Sequence, residues 1–364
     1  MNPSPLLLID ALKAVASQLI VLHHLAAYGP MSAAIEPFAP WLIENLFEYG
    51  RLAVQVFLVI GGFLAARSLA PEGVSRISHP LSAIWRRYLR LAIPYFAAIA
   101  LALLVNWAVR TGLPHDSMDG PPSPVQVLTN LLMLQSILGI ESVSAGLWYV
   151  AIDLQLFALM VLLIALSARP GMAIPAPWLV GLVAVASLFW FNRQASGDAW
   201  APYFFGAYGL GAMAWWSGRS PHPWRWLMAI LVVGLIALAL EFRLRILLAL
   251  ITAILLMSVV RGPAWQVPTR LRALIHWLGA MSYSVFLVHY PICMLINAAI
   301  VRTWGTAPVP NAVGLALAWA CSILAGALFH RFVEQRGTLP GTRQTAVSPG
   351  MTGLDQPSDR TTRN

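Results

Sequence analysis

The chain has 364 residues, 59% hydrophobic and only 10% charged, with a formal net charge of +9. That balance, with a mean hydropathy of +0.72, excludes a soluble globular domain and points to an all-α, polytopic membrane protein. Two cysteines, Cys293 and Cys321, lie inside apolar stretches without a C-x-x-C or His/Cys cluster, so neither a disulfide framework nor a metal site is suggested.

Apolar runs of about 20 residues predict ten membrane-spanning helices. In chain order they are 6–28, 52–70, 88–110, 147–167, 178–192, 200–217, 226–240, 244–260, 277–300 and 311–332. The first is not read as a cleaved signal peptide, because Asp10 and Lys13 interrupt it and it is too long. It carries four ionisable side chains: Asp10, Lys13, His23 and His24. A charge near the bilayer centre costs roughly 2.5–3.5 kcal/mol on insertion scales, so such residues are read as functional and turned toward a polar interior. Lys13 and His24, eleven residues apart, differ by three turns plus about 20°, which sets them on one stripe about 16 Å apart. His23, about 80° off that stripe, reads as structural.

Between the third and fourth spans, the segment 111–146 begins with a turn-rich stretch from Gly112 to Pro124. It then turns apolar from Val125 to Leu138, which predicts a surface or re-entrant helix on the outer side. Residues 1–336 are expected to form one membrane domain. The Thr-, Pro-, Gly- and Arg-rich tail 337–364 reads as disordered and cytoplasmic.

With the N-terminus inside, 16 of the 23 basic residues are arginines in cytoplasmic loops and the tail, while Arg51, Arg110, Arg193, Arg243, Arg245 and Arg302 fall outside. The remaining basic residue is Lys13. The positive-inside rule therefore puts both termini in the cytoplasm. The net charge is accounted for by topology and calls for no nucleic-acid partner.

Depth in this topology brings polar residues together. His24, His289 and Asp153, the last followed by Gln155, fall in the outer half of three different spans. A carboxylate, or the field of one, beside an imidazole raises its basicity and fixes its tautomer, as a general base acting on an alcohol requires. At the inner entrance to the third span, Arg86, Arg87 and Arg90 could grip the phosphates of a nucleotide-like donor. Plainer readings stand beside these. Arginines at cytoplasmic helix ends set topology, Asp10 and Lys13 can neutralise one another at i,i+3, and His289 can serve as a helix-to-helix hydrogen bond. Residues alone leave an enzyme and a transporter with a Lys/His/Asp pathway both open.

Six segments in order resemble the acyltransferase-3 family of integral membrane acyltransferases: Asp10-x-x-Lys13 with His24 eleven residues on, Val54 to Leu64, Arg86-Arg87-x-x-Arg90, Leu147-Trp-Tyr to Phe157, Ser282 to Pro291, and Phe329 to Glu334. Three positions depart from the family pattern. Gln55 stands where Asp is common, Asp153 where Glu is usual, and Glu334-Gln-Arg336 lacks the proline of Glu-x-Pro.

The resemblance implies an enzyme of the bacterial cytoplasmic membrane that moves an acyl group, acetyl in the simplest case, from cytoplasmic acyl-CoA to a hydroxyl of an extracytoplasmic glycan. On that reading Arg86, Arg87 and Arg90 hold the CoA phosphates, and Lys13 stabilises the donor's polar atoms or the thioester oxyanion. His24 is the general base, with Asp153 or His289 orienting it. No permanently bound cofactor is expected.

Overall fold

A computed structural model describes residues 4–110, 120–172, 174–260, 262 and 266–336. The described residues form helices and connecting turns, with no strand among them. The helices are α1 (Ser4–Ala27), α2 (Pro30–Ile35), α3 (Pro40–Gly50), α4 (Val54–Leu69), α5 (Pro80–Val109), α6 (Pro124–Leu131) and α7 (Leu147–Ser167). They continue with α8 (Ala176–Phe189), α9 (Ala201–Arg219), α10 (Pro223–Leu240), α11 (Leu244–Val260), α12 (Thr269–Trp304) and α13 (Pro308–Phe329). Many open on proline in the first turn, where the missing N–H has no intrahelical partner to lose and φ is already set for a helix.

Eight helical segments among the described residues are long and apolar enough to cross a membrane, so the chain is an integral membrane protein. α11, 17 residues long, is a shorter apolar helix. α9 is enclosed by protein rather than exposed to lipid: Tyr203 to Gly218 are buried without a break. It packs on α4, α8 and α11. Its contact with α4 is made backbone to backbone, because a Cβ on Gly62 would overlap the Tyr208 carbonyl and one on Gly211 would overlap the Val59 carbonyl. The indoles of Trp215 and Trp216 donate to the carbonyls of Pro71 and Ala70, tying the end of α9 to the end of α4. On the other side of the bundle α12 packs against α1, α5 and α13.

Each segment expected to span the membrane is helical, and α7 and α11 match the expected bounds at both ends. α5 and α12 are longer than expected, starting at Pro80 and Thr269 instead of 88 and 277. Arginines end an apolar run but favour helix, so the helix continues past the hydrophobic boundary. The apolar stretch from Val125 is helical only through Leu131, in α6. Ser123 caps it by accepting from the Gln126 amide at 3.1 Å. After α6 the chain is held by Asn130, which donates to the Gln126 and Glu141 carbonyls and accepts from the Val143 amide. The turn-rich stretch lies mostly, and the tail 337–364 wholly, outside the described residues.

Candidate active site

His24 sits in the last turn of α1, and α12 faces it with His289. Both side chains are buried. His289 Nδ1 lies 2.8 Å from the Phe286 carbonyl and 3.1 Å from the Val285 carbonyl. Facing only acceptors, Nδ1 carries the proton of the neutral ring, which leaves a lone pair on Nε2. That Nε2 is 3.0 Å from His24 Nδ1, which also lies 2.9 Å from the Ile20 carbonyl. His24 Nδ1 thus meets two acceptors and is the protonated nitrogen. The network assigns His24 the tautomer whose Nε2 bears a lone pair. Tyr28 stacks on the His24 ring with centroids 5.6 Å apart, and Tyr290 meets it edge-on.

A cavity of about 680 Å³ adjoins this pair. His24, Gln55, Ser144, Trp148, Tyr203 and Arg245 are among the residues lining it. Trp148 lies in the first turn of α7, Ser144 in the loop just before it, and Gln55 in the first turn of α4. At one edge Arg245 donates to the Tyr203 hydroxyl and, at 2.7 Å, to the Asn192 carbonyl. Arg243, next to it, is buried against the Asn192 side chain and the Leu188 carbonyl.

His23 also lines the cavity, its ring 5.0 Å from that of His24, and its Nδ1 is 3.3 Å from the Leu46 carbonyl of α3. Lys13 Nζ is 3.7 Å from Asp10, whose other carboxylate oxygen is 2.9 Å from His276 Nδ1 on α12.

The expected pairing of Asp153 with an imidazole gives way to a different one. Its carboxylate accepts from Arg87 Nη2 at 2.6 Å, and Arg87 also stacks on the Phe157 ring. An ion pair of this kind gives the buried Asp153 carboxylate and the half-buried Arg87 a partner each, and the imidazoles are already partnered by carbonyls and by one another. The structure therefore leaves His289, rather than Asp153, as the group in contact with His24. It also divides the three arginines. Arg87 turns into the bundle, while Arg86 and Arg90 share an exposed face, Arg86 donating to Ser82 at 2.9 Å.

Two further residues were not singled out from sequence. Ser284 donates to Glu334 at 2.5 Å, and Glu334 also meets His330 Nδ1 at 2.9 Å, so the fifth and sixth sequence segments touch. Ser144, between Val143 and Gly146, gave no signal beyond its closeness to the start of a predicted span.

A multi-helix membrane protein with an oriented imidazole at the wall of an open cavity is the class that fold and site define together. The family is shown directly: the acyltransferase domain matches residues 6–330, nearly the whole chain. The chain belongs to the acyltransferase-3 family and is a membrane acyltransferase. No curated protein and no solved structure matches it.

Proposed function

We propose that the protein is an O-acyltransferase of the bacterial cytoplasmic membrane that moves an acyl group, acetyl in the simplest case, from cytoplasmic acyl-CoA to a hydroxyl of an extracytoplasmic carbohydrate. The observation that carries this reading is His24 at the wall of a cavity, its Nδ1 engaged by the Ile20 carbonyl and by His289, which leaves Nε2 the lone pair. The proposed topology has ten crossings and both termini inside, supported by the arginine distribution. It puts the His24 cavity toward the outer face and Arg86 and Arg90 toward the cytoplasm, where two guanidiniums suit the phosphates of a CoA donor.

In the proposed reaction the acceptor hydroxyl binds against His24 Nε2. As its proton passes to that nitrogen, the oxygen bonds to the thioester carbonyl carbon and the carbonyl oxygen takes up the negative charge. Collapse of the adduct re-forms the carbonyl and breaks the C–S bond. The departing CoA thiolate takes the proton from His24. Lys13, about 16 Å below on the same stripe, lies between the donor's phosphates and this centre and screens the donor's polar atoms.

The test is thioester cleavage by the purified protein in detergent, with labelled acetyl-CoA and a crude extracytoplasmic glycan fraction. Wild type is expected to release CoA and label the glycan, and His24→Ala to lose at least a hundredfold in rate. Equal activity in both proteins would remove His24 as the base. A carrier would release no thiol in detergent, where there is no sealed compartment.

A further inference from the structure

Two arginines of this chain are answered by carboxylates: Arg87 meets Asp153 at 2.6 Å and Arg193 meets Glu241 at 2.7 Å. Two that line the His24 cavity, Arg51 and Arg245, are not; among the described residues neither is in ion-pair contact with a carboxylate.

Arg51 lies in the turn between α3 and α4 and is exposed. Its Nε donates to the Glu48 carbonyl at 3.2 Å, and no described residue engages its two terminal nitrogens. Arg245, at the start of α11, spends its terminal nitrogens on neutral acceptors, the Tyr203 hydroxyl and the Asn192 carbonyl. Its guanidinium also lies over the Tyr203 ring, 4.9 Å from the centroid. These contacts fix its direction and leave its charge unneutralised. Arg243 is held in the same way, by the Asn192 side chain and the Leu188 carbonyl.

Arg51, Arg243 and Arg245 together line a side pocket of about 220 Å³, which shares Arg51, Leu52 and Arg245 with the wall of the His24 cavity. Glu48 is the one acidic residue lining it. Glu141 and Asp198, both exposed, line the larger cavity but not this pocket. Three guanidiniums against one carboxylate repel one another until an anion enters, and the planar fork of arginine matches a carboxylate or a phosphate.

The pocket is fixed relative to His24. A Cβ on Gly50 would come within 2.8 Å of His23 Cβ and 3.1 Å of the Leu19 carbonyl, so glycine lets the turn that carries Arg51 seat directly on α1 beside His24. Trp148, half-buried, lines the same cavity and offers a ring face to the apolar side of a sugar.

We infer that the pocket of Arg51, Arg243 and Arg245 binds a negatively charged group of the acceptor, carboxylate or phosphate, so that the hydroxyl brought to His24 belongs to an acidic saccharide. Arg51 supplies the unengaged donors; Arg243 and Arg245, anchored by neutral groups, supply positive charge and shape. The inference rests on the O-acyltransferase reading above, and the experiment separates the two.

The full-length protein in detergent is given labelled acetyl-CoA and the extracytoplasmic glycan fraction in three forms: untreated, with its carboxylates reduced to alcohols, and with its phosphates removed. For wild type, one of the treated forms is expected to show a KM about tenfold above that of the untreated glycan. The treatment that does so tells carboxylate from phosphate. Arg51→Gln is expected to raise the KM for untreated glycan about tenfold, to use all three forms alike, and to keep the KM for acetyl-CoA. Arg51→Lys, which retains the charge, should fall between the two.

If wild type uses all three forms with one KM, or Arg51→Gln still distinguishes them, the inference is overturned and the acyltransferase reading stands. If wild type neither releases thiol nor labels any form, the acyltransferase reading fails and takes this inference with it. Should Arg51→Gln fail to fold, Arg51→Lys and the wild-type comparison decide, and a Lys variant no different from wild type on every form would overturn the inference.

Discussion

His289 presents a lone pair to His24 because its own Nδ1 faces two carbonyls, so its influence is exerted through an orientation and a tautomer rather than a charge. Replacing it with alanine leaves the Ile20 carbonyl as the one remaining hydrogen-bond acceptor for His24 Nδ1 and loosens the hold on the ring's orientation. We expect His289→Ala to lower kcat for thioester cleavage ten- to a hundredfold with little change in the KM for acyl-CoA. His289→Gln, whose amide oxygen can accept from His24 Nδ1, should recover part of the loss. A KM effect without a kcat effect would argue that His289 shapes the donor's path instead. The histidines themselves were legible in the sequence as ionisable groups in apolar runs. Their hydrogen-bonded contact was not, because residues 265 apart in the chain meet only after α1 and α12 pack. The same holds for Arg87 and Asp153: the arginine reads as one of three on a helix end, and only the fold shows that it turns inward to a carboxylate 66 positions away.

At the scale of helices, hydrophobic length was enough to locate the apolar elements, since each must satisfy its own backbone in lipid. It failed where helix outlasts hydrophobicity, as at the arginine-bearing starts of α5 and α12, and where helix occurs without a full span. α2 and α3, in the stretch 30–50, had no expected counterpart. The Arg87–Asp153 pair joins α5 to α7, with side chains 29% and 11% exposed, so removing one partner strands a largely enclosed charge. We expect Arg87→Ala to destabilise the protein by about 3–5 kcal/mol. The double replacement Arg87→Met with Asp153→Leu should be much milder. Thermal unfolding in detergent of the single and double variants measures the difference; equal losses would mean that the two residues act independently.

For the molecule as a whole, the proposed orientation makes a prediction that does not depend on activity. With Cys293 and Cys321 replaced by alanine, a single cysteine is introduced at Ser75, between α4 and α5, or at Asn45, in α3. In intact cells permeable to small solutes only through the outer membrane, a membrane-impermeant thiol reagent should label the variant at 45 and spare the one at 75. Inside-out vesicles should reverse the pattern. Labelling of both positions from one side would refute the crossing between them.

α7 begins at the cavity with Ser144 and Trp148 beside it, and about 9 Å further along its axis Asp153 grips Arg87 of α5. A helix is stiff over that distance, so the two ends behave as a lever with the ion pair as its handle. Arg87 stands within one turn of Arg86 and Arg90, on the same helix that faces the cytoplasm in the proposed topology. The ion pair and the cavity rim are thereby two points on one rigid element, so the seating of α5 and the shape of the cavity beside His24 are set together.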